Sequence, residues 1–310
     1  MQITISKTQH GILLRQYLQK ELALSSKMIK HLKFLPDGIL VNGTRVTVRY
    51  VLQEGDVLSL STEDRESAPI TPEDLPIEIL YEDDDIVIPA KPANMPTHPS
   101  HDHYHDTVAN ALAFRYQRES RPFVFRPINR LDRNTSGLLL IARHRHAAGV
   151  FSEAMRDGRI QKTYLAVLDG EMTQTEGIID ACLHRTKESI ILREVCSPDA
   201  PDADAARTEY RVMAVENGHT LVKAHPITGR THQLRVHFAS IGHPITGDDL
   251  YGNPSPHIAR HALHAYTLTL PHPSRDEQLT VRAPLSDDLY TLLHTLFPKY
   301  SSQPEERLFL

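Results

Sequence analysis

The sequence predicts an α+β protein of two domains. A chain of 310 residues exceeds the usual size of one domain and fits two. Segment 26–34 has apolar residues at helical spacing, whereas Leu138–Ala142 is a short apolar run typical of a buried strand. An acidic segment with three prolines, 61–76, shows neither pattern and is typical of a linker. We therefore expect a small domain at 1–60 and a large one at 77–300.

The composition is that of a soluble globular protein, with 40% hydrophobic and 24% charged residues. No apolar run approaches the roughly 18 residues needed to cross a bilayer, and the first residues lack the apolar segment of a signal peptide. The two cysteines, Cys182 and Cys196, form no C-x-x-C pair, so we expect neither a disulfide framework nor a thiolate zinc site. We expect a cytoplasmic monomer without membrane contact.

Charge is sorted along the chain, although the net charge is only -5. Residues 1–60 carry eight basic and four acidic side chains, and residues 121–162 carry nine and three. Between them, residues 61–85 carry ten acidic side chains and one arginine. Because polyanion binding depends on a local positive face, the two basic stretches favour nucleic acid as a partner despite the negative total.

The small domain is predicted to contain helices over 12–22 and 26–34 and strands over 39–41 and 56–60. Asn42-Gly43, directly after the first strand, is a strong signal for a tight hairpin turn.

These elements and four motifs resemble the RNA-binding domain of ribosomal protein S-four, the αL motif. The motifs are L-x-x-Y-L, S-S-K-x-x-x-x-L, G-x-L-V-N-G and E-G-D-V-L, between about residues 14 and 60. The resemblance implies a small α/β domain whose basic helix face contacts RNA through Lys27, Lys30 and Lys33. The alternative is that these lysines form an ordinary solvated helix face.

The large domain is predicted to begin with a strand at 86–88, followed by a Pro/His-rich loop at 89–105 and a helix at 107–118. The central segment, 126–143, reads RPINRLDRNTSGLLLIAR. Its polar half directly precedes the buried strand, so we expect Asp132 to lie at the edge of a cleft. A carboxylate held among hydrogen-bond donors can act as a nucleophile or a base.

Three blocks in this order resemble the RluA/RluD-type family of pseudouridine synthases. The first is R-L-D-x-x-T-S-G-L-L-L around Asp132; the second is QKTYLAV at 161–167; the third is ITGRTHQLRVHFASIGHPITGDDLYG at 227–252. The resemblance covers nearly all of 77–285. It implies a catalytic domain with a mixed, largely antiparallel sheet and flanking helices, and an isomerase that converts uridine in RNA to pseudouridine, most often in large-subunit ribosomal RNA or in tRNA.

The same resemblance implies roles for individual residues. Asp132 would be the catalytic aspartate that engages ribose C1′, and Tyr164 would stack on the target base. Arg230, near the start of a helix expected after Gly229, would pair with Asp132, while Arg130 would fill the space left by the flipped nucleotide.

One position departs from the family pattern, because Asn129 stands where a histidine often precedes R-L-D. Asparagine keeps a hydrogen bond but does not titrate near neutral pH, so we expect a structural role.

No cofactor or metal is expected, since the sequence has no P-loop, G-x-G-x-x-G or H-E-x-x-H motif. The histidines of the 98–105 loop have spacing that can bind zinc or nickel, but a solvated loop explains them equally. His232 and His237 are expected to be hydrogen-bonded structural groups, and Asp248 and Asp249 to form a turn.

Two other functions remain open at this point. A non-catalytic RNA-binding factor with this fold would be expected to lack Asp132, Tyr164 or Arg230, and all three are present. An aspartyl-phosphate phosphotransferase would match L-D-x-x-T, but that class has a second aspartate two residues on, where this chain has Asn134.

Overall fold

The computed structural model divides into two compact units, residues 1–69 and 70–310. The structure describes residues 2–22, 24, 29, 32–33, 35, 37–60, 70–100, 104–186, 189–200 and 202–301. In this part of the chain no helix combines the length and the apolar character needed to cross a membrane.

The first unit is an antiparallel four-stranded sheet, in the order β1-β4-β2-β3, with a helix packed on it. Its elements are β1 (Gln2–Thr4), a 3₁₀ turn (Lys7–Gln9), α1 (Leu14–Lys20), β2 (Ile39–Val41), β3 (Thr44–Arg45) and β4 (Val57–Leu60). The turn between β2 and β3 has positive φ at both Asn42 (52°) and Gly43 (75°), as a two-residue hairpin requires. The hairpin predicted from Asn42-Gly43 is thus confirmed.

The predicted helix over 26–34 falls mostly outside the described residues. Ile29 and Leu32 are buried in the core of the first unit, and Lys33 is helical and exposed. Lys27 and Lys30 lie outside the described residues.

Part of the segment predicted as a linker belongs to the second unit. The backbone N–H of Glu73 donates to the carbonyl of Asn110 at 3.1 Å, and the Asn110 side chain donates to the carbonyl of Thr71 at 2.8 Å. The prediction of a linker reaching residue 76 is therefore wrong for 71–75, because a buried asparagine pairs with this backbone.

The second unit is built around a ten-stranded sheet. Eight strands follow the order β10-β13-β14-β9-β15-β7-β6-β5, while β16 pairs with β15 and β8 with β6. The strands of the unit are β5 (Glu78–Glu82), β6 (Ile86–Lys91), β7 (Ser136–Leu138), β8 (Ile141–Ala142), β9 (Gln161–Asp169), β10 (Glu176–Asp180), β11 (Cys182–Arg185), β12 (Arg193–Cys196), β13 (Arg207–Glu216), β14 (His219–Pro226), β15 (Leu263–Pro271) and β16 (Gln278–Arg282). The helices are α2 (Val108–Arg118), α3 (Arg145–Arg156), α4 (Gln233–Ser240), α5 (Asp287–Leu296) and α6 (Pro298–Ser301). Strands β11 and β12 form a separate two-stranded hairpin.

The sheet is buried on both faces, which explains its continuous apolar runs. In β6, Ile86 and Ile88 point into one hydrophobic cluster and Val87 into the other. All pairings in the sheet are antiparallel except that between β7 and β15. This parallel pairing brings the starts of β7 and β15 to the same edge, beside Tyr164 of β9, which lies opposite Ala265. The prediction of a mixed, largely antiparallel sheet with flanking helices is confirmed.

The apolar run Leu138–Ala142 is not one strand, as the sequence predicted, but the end of β7 and the whole of β8. The run lies against β6, with Leu138 opposite Ala90 and Ile141 opposite Val87. Between these pairs lies Pro89, which has no N–H to donate, so the ladder is interrupted there.

Gly137 allows the close approach of β7 to β15. Its φ is +109°, and a Cβ at this position would lie 2.2 Å from the carbonyl oxygen of Ala265. A Cβ added at Gly149, on helix α3, would have no neighbouring atom within 4 Å.

We expect Gly137→Ala to lower the free energy of unfolding by about 3 kcal/mol or more, because backbone must move to admit the methyl group. Gly149→Ala is the matched control and should stabilise the protein by about 0.5–1 kcal/mol, since alanine is the better helix former. Chemical denaturation of both variants checks this, and equal stabilities would contradict the close approach of the two strands.

Candidate active site

A cavity of about 340 Å³ opens at the edge where β7, β9 and β15 bring their ends together. Its lining includes most residues that the sequence singled out, together with several that it did not. The polar lining residues are His98, Asn129, Arg130, Asp132, Thr135, Lys162, Tyr164, Thr228, Arg230, Thr231, His232, Gln233 and Arg235.

The backbone that carries Asp132 is held from one side by two buried polar side chains. The hydroxyl of Thr97 donates to the carbonyl of Leu131 at 3.0 Å and lies 3.2 Å from its N–H. The ammonium of Lys91 donates to the carbonyl of Arg133 at 2.9 Å. The backbone is therefore held at the peptide group that precedes Asp132 and, one residue further on, at the carbonyl of Arg133.

Lys91 is 1% exposed, and the hydrogen bonds that it makes to described residues go to backbone carbonyls. Besides Arg133, it donates to Pro92 at 2.8 Å and Met95 at 2.7 Å. Burial lowers the pKa of Lys91 to about 7, with a further decrease from Arg260, while Asp132 opposes both effects.

Thr135 and Ser136, just after the Asp132 turn, form hydrogen bonds to two buried histidines. The hydroxyl of Thr135 lies 2.8 Å from Nε2 of His261, and that of Ser136 lies 2.9 Å from Nδ1 of His264. Burial lowers the pKa of His261 to about 3 and that of His264 to about 4. Both imidazoles are therefore neutral at physiological pH and act as hydrogen-bonding groups, not as charges. Arg260 adds a hydrogen bond to the Ser136 hydroxyl at 3.2 Å.

Two cationic or potentially cationic side chains approach the Asp132 carboxylate. Nη1 of Arg235 lies 3.7 Å from one carboxylate oxygen, and Nε2 of His232 lies 3.9 Å from the other. Neither distance is that of a close hydrogen bond. With its side chain 20% exposed, Asp132 is accessible from the cavity.

Arg235 is positioned by a buried bidentate pair with Asp248. Its Nε and Nη2 donate to the two carboxylate oxygens at 2.7 and 2.6 Å, and its guanidinium lies 5.1 Å from the centre of the Tyr251 ring. Burial disfavours the Asp248 carboxylate, but the hydrogen bonds and charge of Arg235 outweigh it and hold the pKa of Asp248 below its ordinary value. Asp248 is thus a structural anchor, and the turn expected there is present, since its carboxylate also accepts the N–H of Leu250 at 3.0 Å.

His232 is oriented by the hydroxyl of Tyr251, which lies 2.7 Å from its Nδ1. The same hydroxyl accepts the backbone N–H of Arg193 at 3.0 Å. A hydroxyl that accepts from one side can donate from the other, so this arrangement favours the tautomer with hydrogen on Nε2, facing Asp132. Burial lowers the pKa of His232, while Asp132 opposes this effect.

Tyr164 and Lys162 lie on β9 and line the same cavity. Burial, and next the nearby Asp132 carboxylate, raise the pKa of Tyr164, so it is a neutral phenol at physiological pH. Lys162 is 8% exposed, and burial lowers its pKa.

Arg230 is not paired with Asp132, contrary to the sequence-based expectation. Its Nη1 lies 3.1 Å from Asp204, and its Nε donates to the carbonyl of Ala205 at 3.0 Å. The reason is local, because helix α4 begins at Gln233 and not directly after Gly229. The arginine beside Asp132 is Arg235, the third residue of the helix.

The other expected site residues have defined positions. The side-chain oxygen of Asn129 accepts the N–H of Leu140 at 2.8 Å, which agrees with the structural role expected of it. Arg130 is exposed where it lines the cavity. His237 is buried and lies 2.9 Å from the Thr208 hydroxyl, so it is structural as predicted. His98 of the His-rich loop lines the cavity, whereas His101 and His103 lie outside the described residues.

A carboxylate on a hydrogen-bonded loop, in a cleft with several cations and a buried tyrosine, is typical of a site that acts on an anionic substrate. The family model described as RNA pseudouridylate synthase matches residues 85–240, which include Asp132, Tyr164 and Arg235. The chain belongs to this family, as an RluA/RluD-type pseudouridine synthase, and it is an isomerase.

Several pseudouridine synthases are similar to this chain over most of their own length. An RNA pseudouridine synthase of Bacillus subtilis, YjbO, is 38% identical over 88% of this chain and 95% of its own. Ribosomal large subunit pseudouridine synthase D of Haemophilus ducreyi is 34% identical over 87% of this chain and 85% of its own. The structure of human RNA pseudouridylate synthase domain containing 1 superimposes with a TM-score of 0.57, at 27% identity, over 71% of this chain and 86% of its own.

Sequence reasoning missed Arg235, although the third of the family-like blocks contains it. One signal was available. Arg235 lies between Leu234 and Val236 in a helix that is buried from Gln233 to Phe238, and a buried arginine needs an acidic partner. Its partner, Asp248, follows within the same block.

We expect Asp248→Asn to lower the free energy of unfolding at pH 7 by about 3–5 kcal/mol, because it removes the buried carboxylate that accepts both close hydrogen bonds of Arg235. The carboxylate's contribution is fully present above its ordinary value of 3.8 and is lost as pH falls through its lower folded pKa. The difference between wild type and Asp248→Asn should therefore shrink below that pH.

Asp249→Asn is the matched control, because Asp249 is adjacent but 71% exposed. It should change stability by less than about 0.5 kcal/mol. Urea denaturation from pH 7 to pH 3 tests both variants, and equal stabilities for the two would contradict the anchoring role of Asp248.

Proposed function

We propose that this enzyme isomerises specific uridines of large-subunit ribosomal RNA to pseudouridine, with Asp132 as the catalytic carboxylate. The observation that carries this assignment is the position of Asp132, which lines the cavity on a loop held by hydrogen bonds to the carbonyls of Leu131 and Arg133. The cavity, about 340 Å³, lies within the range of pockets that hold small organic groups such as a nucleoside.

In the proposed reaction the bond between uracil N1 and ribose C1′ breaks while the Asp132 carboxylate engages C1′. The base rotates, and a bond forms between C5 and C1′. The proton leaves C5 and N1 gains one, so the reaction needs no oxidant, reductant or second substrate. A uridine within structured RNA reaches such a cavity only when it is flipped out of its stack.

The neighbouring side chains have distinct proposed roles. Arg235 and His232 orient Asp132 from 3.7 and 3.9 Å without a close salt bridge, so the carboxylate is available to the sugar. Tyr164, a neutral phenol, contacts the uracil ring. The exposed Arg130 enters the space that the flipped nucleotide vacates.

The proposed substrate class is supported by relatives that are named for the large ribosomal subunit and match this chain along most of its length. The charged side chains of the catalytic cavity support an RNA substrate in general. Transfer RNA is the second candidate, and the same mapping experiment separates the two.

Asp132→Ala and Asp132→Asn should both abolish pseudouridine formation while RNA affinity stays near that of wild type, because the carboxylate acts on the sugar and not on the phosphates. The measurement is pseudouridine mapping of total cellular RNA with and without this gene, complemented by wild type or by either variant.

Loss of one or more ribosomal pseudouridines, restored only by wild type, is the expected result. Substantial turnover by either variant would exclude the role of Asp132. Loss of a transfer RNA site alone would keep the activity and replace the substrate.

We further propose that the first unit binds RNA. Its motifs resemble those of the S-four domain, and Lys33, the described one of the three lysines assigned to that face, is exposed. Cations on such a face would neutralise phosphate groups and release counterions on binding.

A chain that begins at Ile70 should therefore bind its RNA more weakly and with a shallower dependence of log affinity on log salt. The slope should fall by about 0.9 for each phosphate of double-helical RNA that the first unit neutralises. Binding titrations at several salt concentrations measure this, with thermal unfolding to show that the shortened chain is folded. An unchanged salt slope would show that the first unit is not an RNA anchor.

A further inference from the structure

A second cavity, of about 330 Å³, adjoins the catalytic one. The two share Arg230 and Thr231 in their linings. One wall of the second cavity is the hairpin β11–β12, which contributes Arg185 and Arg193. Neither arginine belongs to the catalytic constellation.

The two arginines lie directly opposite each other in the hairpin. Thr186, the next residue, donates its N–H to Leu192 at 3.2 Å, so the pair Thr186/Leu192 is of the hydrogen-bonded kind. Because the two kinds alternate, Arg185/Arg193 is a non-hydrogen-bonded pair, in which side chains are closest. Like charges in this arrangement destabilise a hairpin unless an anion lies between them.

Both arginines line the cavity from the hairpin face that also carries Leu183. Side chains on a strand alternate between faces, so Leu183 shares a face with Arg185. Leu183 is 2% exposed and packs in a cluster with Val236 and Tyr251. The backbone N–H of Arg193 donates a hydrogen bond to the hydroxyl of Tyr251, a member of this cluster. The paired guanidinium groups therefore lie beside the active site and not on a remote surface.

The protein supplies little counter-charge to this pair. Among the described residues, no carboxylate lies within 4.0 Å of Arg185 or Arg193, and the side-chain hydrogen bonds of Arg193 go to the carbonyls of Ile191 and Leu192. Asp204 lines the cavity but pairs with Arg230. Both partners of that pair are largely exposed, at 61% and 41%, so the pair is weak and Arg230 can exchange it for another anion. Asp202 also lines the cavity and offsets one of its three arginine charges.

We propose that this groove binds phosphate groups of the RNA strand that continues from the uridine in the catalytic cavity, with Arg185 and Arg193 as the main contacts and Arg230 as the link between the cavities. The inference rests on the proposed function, because the strand must enter the groove from the catalytic cavity. Guanidinium groups suit this ligand since each can donate two hydrogen bonds to one phosphate. Such contacts position the strand without reading its sequence.

The test is binding of a twelve-residue oligouridylate to the full chain, by fluorescence anisotropy at several salt concentrations. The double variant Arg185→Gln/Arg193→Gln should bind about tenfold more weakly at low salt, and its salt slope should be shallower by about 1.4, as expected for two single-strand phosphate contacts. Arg185→Lys/Arg193→Lys should regain most of the slope but not all of the affinity, since lysine keeps the charge without the fork geometry.

Arg118→Gln controls for the loss of a positive charge, because Arg118 is exposed and lines neither cavity. It should leave affinity and slope unchanged. On the RNA identified by pseudouridine mapping, the double glutamine variant should raise KM and leave kcat within about twofold, since the contacts lie outside the chemistry.

Unchanged affinity and slope in the double glutamine variant, shown to be folded by thermal unfolding, would overturn the groove assignment. That result would leave the proposed function intact. Failure of the proposed function appears separately, as absence of pseudouridine formation by wild type, and does not enter the binding measurement.

Discussion

The active site depends on the backbone of the loop that carries Asp132, because every role of the carboxylate requires that loop to be fixed. Loops without regular pairing are ordinarily the mobile parts of a protein. In this loop, hydrogen bonds from buried side chains hold the backbone, as hydrogen bonds between strands would in a sheet. Lys91 holds the carbonyl of Arg133 at 2.9 Å, and Arg260 holds that of Asn134 at 3.0 Å. In the proposed reaction, a carboxylate that is already held in place needs no free energy for ordering when the ribose binds, and such positioning is a large part of what a protein can contribute to a reaction.

The pair Arg235–Asp248 places a cation near Asp132 while leaving the Asp132 carboxylate without a close ion pair. In the proposed reaction, an arginine bound to Asp132 in bidentate fashion would compete with the ribose for the carboxylate. In this structure Asp248 takes two nitrogens of the guanidinium at 2.6 and 2.7 Å, and the third remains 3.7 Å from Asp132. The positive charge still stabilises the carboxylate, while its oxygens stay free of close hydrogen bonds from this arginine. Burial of the pair strengthens it, since few waters compete for either partner.

Much of this architecture follows from the sequence, and the exceptions have physical causes. The resemblance of the motifs to the RluA/RluD-type family indicated Asp132 and Tyr164, and the structure has both in the lining of one cavity. The assignment of Arg230 as the partner of Asp132 was wrong, since the start of helix α4 at Gln233 is set by a turn in which His232 adopts a φ of 58°. The interruption between β7 and β8 depends on Pro89 of a neighbouring strand. A local sequence pattern does not show which distant residues a segment will contact. Lys91 and Arg260, which hold the backbone after Asp132, were missed for the same reason.

The distribution of buried cations resolves the conflict between an acidic chain and a polyanionic substrate. Lys162 and Arg235 line the catalytic cavity, each less than 9% exposed, where water does not screen them well. Surface carboxylates, which dominate the total charge, are hydrated and screened within about a Debye length of 8 Å at physiological salt. A phosphate or a polarised uracil inside the cleft therefore experiences the nearby cations far more strongly than the distant acids. Net charge thus predicts little about this active site, whereas the burial of each charge determines which substrate the cleft attracts.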